Sequence, residues 1–306
     1  MPRYAAIDVG TNSVLLLVAE RDAGGRFTAI EERAEITRLG RGVDQARALA
    51  PQAIDETLGV VERFVQVARG LSANEFAISA TSAARDATNG AVFLEAVKAR
   101  TGLSVQIISG EEEARLSFAS AVADFGGAPP LVVVDIGGGS TEFIFGGAGG
   151  QITFRRSFDV GAVRLTERHL KNDPPTLGEL TAVVAALRET LAPLPRPAPG
   201  ARLVGLAGTV TTLFAVAKGI DPYDAARVQG QPLTRDEVRD TVARLAALPV
   251  HLRRSVPGLQ PKRADVIVAG GLVLQVALEV LSFERVTVSD RGLRWGLLTD
   301  RFGSVA

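Results

Sequence analysis

Residues Leu131 to Gly146, LVVVDIGGGSTEFIFG, constrain the fold more tightly than any other stretch. Four apolar residues run into Asp135, glycines occupy 137–139, and Ser140, Thr141 and Glu142 lead into a second apolar run. This is the pattern of a buried strand that ends in a carboxylate, turns on glycine and returns as another strand. Consecutive glycines lose much conformational entropy on folding, so the turn asks for a use. The N–H groups of Gly137, Gly138 and Gly139 and the hydroxyls of Ser140 and Thr141 can converge on one point, which suits a phosphate oxygen. A ligand-free glycine hairpin is the alternative.

The pattern occurs once before. Tyr4 to Ile7 is a short apolar run ending in Asp8-Val9-Gly10-Thr11-Asn12-Ser13, and Val14 to Ala19 resumes it. The two carboxylates stand 127 residues apart. Such a repeat predicts two similar α/β domains facing each other, each offering a phosphate-binding hairpin to a shared cleft. Asp8, Gly10, Thr11, Asn12 and Ser13 are the candidate binding residues of the first copy. A length of 306 residues allows each domain its own core.

Composition narrows the chemistry. Lys and Arg total 34 against 34 Asp and Glu, so the net charge of zero argues against a general nucleic-acid or membrane binder. With no Cys and only His169 and His251, thiolate nucleophiles, Cys-ligated metals, serine triads and zinc–His sites are disfavoured. The start, MPRYAAIDVG, lacks signal-peptide shape, and Val266 to Leu281 is too short and too interrupted to span a bilayer, so a cytoplasmic location is expected.

Between the hairpins, Phe27 to Arg38 predicts a strand followed by a turn with Arg38 and Arg41, which either face solvent or reach the cleft. Pro51 to Arg69 has helical periodicity. Phe76 to Ser79 predicts a strand leading to Thr81, Ser82 and Arg85; the two hydroxyls either cap a helix or contact an anion. Val105 to Ile108 ends in Ser109-Gly110-Glu111-Glu112-Glu113-Ala114-Arg115. Ser109 and Glu112 fit a capping box. Glu111 and Glu113 either complement the helix dipole or supply a general base.

The Gly/Pro-rich stretch Asp124 to Pro130 marks the expected boundary, giving domains 1–125 and 126–306, with a last helix near 292–306 able to pack back on the first. Thr176/Glu179 and Thr234/Glu237 predict two more capping boxes. Leu203 to Leu206 leads into Ala207-Gly208-Thr209, where Gly208 and Thr209 again offer amides and a hydroxyl at a strand-to-helix junction. Pro261 opens a long apolar helix whose Gly270-Gly271 pair predicts a close backbone approach, to the Gly208 segment or to a ligand.

DVGTNS, ATSAAR, SGEEEAR, DIGGGSTE, GLAGTVTT, RADVIVAGG and SDRGLR occur in this order along the whole chain. The set resembles the exopolyphosphatase/guanosine pentaphosphate phosphohydrolase (Ppx/GppA) family, a branch of the actin–sugar-kinase–heat-shock ATPase superfamily. The resemblance implies two ribonuclease-H-like domains with the active site in the cleft between them, and usually a homodimer. It implies hydrolysis of the terminal phosphoanhydride of inorganic polyphosphate or of the 5′-phosphate of guanosine pentaphosphate. Mg²⁺ is the implied metal, near Asp135 and Glu142. Glu113 falls on the family's catalytic acid, and Glu142 on a Glu associated with metal and catalytic water. The Asp8 and Asp135 loops correspond to the two phosphate loops, with Arg85 adding charge.

Two departures stand out. Many members read G-L-R-E-G where this chain has Gly292-Leu293-Arg294-Trp295-Gly296, so no role carries over from that acid. The 306 residues also resemble a short member without the additional C-terminal helical domains. Two other readings compete. A kinase of the same superfamily would need an acceptor other than water, and a polyphosphate or alarmone sensor would bind without turnover. The absence of GxxxxGK[ST] disfavours a Walker-type NTPase.

Overall fold

β1 (Arg3–Val9) and β2 (Ser13–Arg21) form the first hairpin, antiparallel from Arg3↔Glu20 to Val9↔Val14. The computed structural model describes residues 1–127, 129–147 and 149–303. β3 (Phe27–Ile36) pairs antiparallel with β2, β4 (Glu75–Ala80) runs parallel to β1, and β5 (Gln106–Ile107) runs parallel to β4. The order is β3-β2-β1-β4-β5. Parallel neighbours need long crossovers, and helices supply them. α1 (Pro51–Gly70) buries Ile54, Leu58, Val61, Phe64 and Val65 along one face, at the helical spacing read from its sequence. α2 (Ser82–Asp86), α3 (Gly90–Thr101) and α4 (Gly110–Phe125) follow.

The second hairpin is β6 (Leu131–Ile136) and β7 (Thr141–Gly146), flanked by β8 (Ile152–Phe158). Every residue of β6 and β7 is buried, as their near-continuous apolar runs require. β9 (Arg202–Leu206) pairs parallel with β6, β11 (Arg285–Val288) parallel with β9, and β10 (Pro232–Thr234) antiparallel with β11. Taken from the β8 edge, the order β8-β7-β6-β9-β11 repeats that of the first sheet, with β10 added. Two mixed sheets with this strand order, each covered by helices, give the two-domain α/β fold expected, of the ribonuclease-H, actin-like kind.

The longer helices of this half are α5 (Ala162–His169), α6 (Leu177–Leu191), α7 (Ala207–Lys218), α8 (Arg235–Ala246) and α9 (Ile267–Val280). Both capping boxes form: Thr176 with Glu179 starts α6, and Thr234 with Glu237 starts α8. α9 is the central helix of the core, buried from Ile267 to Leu274. It starts later than Pro261. The Ala264 carbonyl, which a continuing helix would use, accepts from the buried Arg253 guanidinium, and Pro261–Arg263 forms a separate turn. A Cβ on Gly270 would lie 2.8 Å from Thr209 Cγ2, which is the close approach to the Gly208 segment that its glycine pair suggests.

The chain divides into two compact units, residues 1–120 with 293 onward, and residues 121–292. The division falls inside α4, ahead of the Gly/Pro-rich stretch expected to mark it. Asp124 near the end of α4 accepts from Arg291 and Gln229, which draws that end into unit 2. Ala128, in the expected boundary stretch, lies outside the described residues. The C-terminal helix, Leu293–Phe302, belongs to unit 1, where Trp295, Leu297 and Leu298 join Ala6, Leu17 and Leu116 in one cluster. Trp295 is buried, and its indole N–H donates to Glu32 at 3.3 Å beside Arg294. No helix among the described residues is long and apolar enough to cross a membrane.

Candidate active site

The glycine turn of unit 2 is closed by Gly137 N–H donating to the Ser140 carbonyl at 3.0 Å. Its own carbonyls are held from one side by the start of α5. Ala162 N–H donates to Gly137 O at 3.0 Å, Val163 and Arg164 N–H donate to Gly138 O, and Arg164 Nε donates to Gly139 O at 2.7 Å. The carbonyl and the following N–H of a trans peptide point in opposite directions. The amides of Gly138, Gly139 and Ser140 therefore point away from α5, as an anion-binding nest requires. The approach is close enough that a Cβ on Gly161 would lie 2.5 Å from the Gly138 carbonyl. Gly161 and Arg164 were not among the sequence-derived site residues; nothing in their local pattern says which loop they back.

Unit 1 repeats the device with different parts. Gly10 N–H donates to Ser13 O at 2.9 Å, the counterpart of the Gly137–Ser140 bond. Here the segment 37–40 holds the loop's carbonyls. Gly40 N–H donates to Thr11 O at 2.8 Å, and the N–H groups of Thr37 and Arg38 donate to Asn12 O. The same peptide geometry turns the amides of Asn12 and Ser13 outward. Arg38, read as either a turn residue or a cleft residue, carries a left-handed backbone at φ 58° and contributes its main-chain N–H to the loop. Non-glycine residues hold that conformation only where the surroundings enforce it. The buried Asn12 Oδ1 has no hydrogen-bond donor among the described residues.

Asp8, the penultimate residue of β1, lies opposite Leu15 and beside Ser79 of β4. In unit 2 the corresponding Asp135 is register partner of Glu142 across β6–β7 and of Leu206 on β9. Glu142 therefore takes the place that Leu15 holds in unit 1, and only the second copy pairs two acids. Asp135 is 7% and Glu142 1% exposed. The Ser157 hydroxyl donates to Glu142 Oε1 at 2.7 Å, which fixes that carboxylate. Like charges directly opposite on a sheet destabilise it, and a hard cation with oxygen ligands relieves them. Mg²⁺ commonly takes one or two carboxylates plus substrate phosphates, so the donor set fits it. No group of three or more metal-ligating side chains occurs among the described residues.

Gly208 and Thr209 lie in the first turn of α7, directly after the strand that flanks Asp135. No side chain caps this helix start. Thr209 is buried against Gly270. Thr141 is fully buried, and its hydroxyl donates to the Val160 carbonyl. The Thr141 hydroxyl is thus committed to Val160, and the residue pairs with Ile136 at the start of β7.

In unit 1, the Thr11 and Ser82 hydroxyls are 3.0 Å apart, and Thr81, just before α2, makes no side-chain cap. Ser82 thus serves the first loop rather than the helix end. Arg85 Nη1 donates to Ile108 O at 2.9 Å and to Glu113 Oε2 at 3.3 Å. Glu113 is 8% exposed, and its N–H donates to Ser109 O in the first turn of α4. The three acids separate as follows. Glu112 N–H donates to Ser109 Oγ, while its carboxylate binds Arg115 through both Nε and Nη2 at 2.8 Å. Glu112, then Asp300, raises the Arg115 pKa above its ordinary value. Glu112 is held by an ion pair of its own, and Glu113 is the acid placed beside Arg85.

Each unit thus carries a loop whose amides face outward, unit 2 with a buried acid pair suited to a divalent cation and unit 1 with a buried acid beside Arg85, features suited to phosphoryl groups. The chain belongs to the Ppx/GppA phosphatase family, whose model matches residues 17–304. It is 37% identical to exopolyphosphatase 2 of Mycobacterium tuberculosis, over 97% of this chain and 98% of that one. It is 30% identical to the guanosine-5′-triphosphate,3′-diphosphate pyrophosphatase of Vibrio atlanticus over 97% of this chain, which corresponds to 58% of that protein. The crystal structure of the Aquifex aeolicus Ppx/GppA family member superposes with a TM-score of 0.83 at 34% identity, covering 98% of this chain and 97% of that one. The chain is accordingly a hydrolase of phosphoanhydride bonds, as the resemblance read from its motifs implies.

Proposed function

We propose that the protein is an exopolyphosphatase that removes the terminal phosphate of inorganic polyphosphate with Mg²⁺ bound and Glu113 as the base. The observation that carries this reading is the outward-facing amide set of the Gly137–Ser140 loop beside Asp135 and Glu142. Amides aimed at an oxyanion need no reorganisation when charge develops there. Polyphosphate is favoured over a guanosine nucleotide because the exopolyphosphatase relative matches this chain end to end, whereas the guanosine-acting relative is much longer.

The outward-facing amides of the Gly137–Ser140 loop bind phosphoryl oxygens; the Gly10–Ser13 loop and Arg85 of unit 1 offer the same kind of donors and a positive charge. Asp135 and Glu142 would hold Mg²⁺, which when bound neutralises phosphate charge. Glu113 takes the proton of an attacking water as its oxygen bonds to the terminal phosphorus. The bridging P–O bond breaks in line, releasing orthophosphate and a chain one unit shorter.

Phosphate release is measured side by side from long polyphosphate, tripolyphosphate and guanosine pentaphosphate, without any acceptor. Glu113→Gln is expected to lower kcat by about 10²–10⁴-fold while still binding polyphosphate. Tight binding with no release by the unaltered protein in Mg²⁺ would establish a sensor instead.

A further inference from the structure

Arg253 closes the short helical turn Val250–Arg253 and is 1% exposed. Each of its three nitrogens donates to a backbone carbonyl: Nε to Leu245 at 2.8 Å, Nη1 to Ala264 at 2.6 Å and Nη2 to Leu248 at 2.7 Å. Burial pulls its pKa below the ordinary value, while Asp173 and Asp265 oppose the change. Desolvating a guanidinium is unfavourable, and an apolar side chain would fill the same space without that penalty. What only Arg supplies is a rigid fork that sets three carbonyls at once.

One of those carbonyls belongs to the turn that carries Arg263. Arg263 N–H donates to Gln260 O at 2.8 Å, and Arg263 Nε to Gln260 Oε1 at 3.2 Å. The Arg263 guanidinium lies against Gly208, so that a Cβ there would be 2.3 Å from Nη1 and Nη2 and 2.4 Å from Cζ. Gly208 follows the strand end paired with Asp135. A continuous set of contacts thus runs from Arg253 through Ala264 and Arg263 to the phosphate end of unit 2.

We propose that Arg253 is a positioning residue, clamping the 261–265 turn so that Arg263 keeps its guanidinium on Gly208. The inference rests on the proposed function, since it takes the Gly208 end as part of the phosphate site. The test measures kcat and KM for tripolyphosphate well below each variant's unfolding temperature. Arg253→Met is expected to raise KM about tenfold, the scale of one charge-assisted contact, with kcat within about threefold. Gly208→Ala, whose methyl displaces the same guanidinium, is expected to act alike. The double variant is expected to be no worse than either single one, because both remove one arrangement. Arg253→Lys retains the charge without the three-way fork and is expected to recover part of the loss.

Additive effects overturn the inference, and so does a lower unfolding temperature for Arg253→Met with unchanged KM. If Arg253→Met does not fold, Arg253→Lys combined with Gly208→Ala provides the same cycle. A wild-type protein that releases no phosphate overturns the hydrolase reading and this inference with it. An active wild type with additive variants overturns this inference alone.

Discussion

Gly161→Ala separates steric support of the phosphate loop from backbone conformation. Gly161 has φ −140° and ψ 167°, an extended geometry open to any residue. The added methyl is the whole perturbation. It would stand 2.5 Å from the Gly138 carbonyl carbon and oxygen and 2.7 Å from the Gly139 carbonyl carbon. Contacts between such atoms are optimal near 3.5 Å or beyond, so a gap of about 1 Å must open. The opposing atoms are main chain, and no side chain can swing aside. Either the loop moves or the start of α5 withdraws, and each breaks the bonds from Ala162 and Val163 to the loop carbonyls. Overpacking of this kind costs about 1–3 kcal/mol. A misplacement of about 1 Å in a catalytic arrangement costs roughly 10²-fold in rate. The expectation is a kcat/KM about a hundredfold lower for tripolyphosphate, with a modest fall in the urea unfolding midpoint. A variant within threefold of wild type, unfolding at the same midpoint, would refute the claim that α5 sets the loop.

Three further outcomes are expected. Gly59→Ala, in the middle of α1 with only Arg63 Nη1 at 3.6 Å, should stabilise the protein by about 0.5–1 kcal/mol in urea unfolding and leave activity unchanged. Glu142→Gln keeps an acceptor for Ser157 but removes a charge from the acid pair, and should raise the Mg²⁺ concentration for half-maximal phosphate release by roughly tenfold or more. Backbone N–H groups, Thr176 first, hold the Glu179 carboxyl at about 2, below its ordinary 4.5. The stability it adds is therefore present above pH 4.5 and lost as pH falls toward 2, so the margin of wild type over Glu179→Gln in acid unfolding should vanish across that window.

The parts legible in the sequence were those written in one continuous stretch. Asp8 and Asp135 each sit where an apolar run meets glycine, so strand, turn and return strand follow from local pattern alone. Thr176 and Glu179 lie three residues apart, and their reciprocal bonds follow from that spacing. Partners distant along the chain were not legible. Gly161 backs Gly138, Ser82 meets Thr11, and the segment 37–40 holds the first loop. Each depends on which elements the fold brings together. Thr141 illustrates a different ambiguity. A hydroxyl after three glycines belongs equally to the turn or to the strand that follows, and the Val160 carbonyl decides for the strand. Glu112 shows the limit of a motif: the capping geometry at Ser109 is real, yet its carboxylate is held by Arg115.

The C-terminal helix gives the order of synthesis a consequence. Unit 2 is one uninterrupted segment, whereas unit 1 needs residues 1–120 and the last helix together. Domains usually fold as they leave the ribosome, the N-terminal one first. Here residues 1–120 hold Ala6, Leu17 and Leu116 without Trp295 until residues 293–302 have also been made. Trp295 is the only tryptophan in the chain. Its fluorescence therefore reports the closing of the unit that began first, and a ribosome stalled before residue 293 would display a completed second half beside an unfinished first.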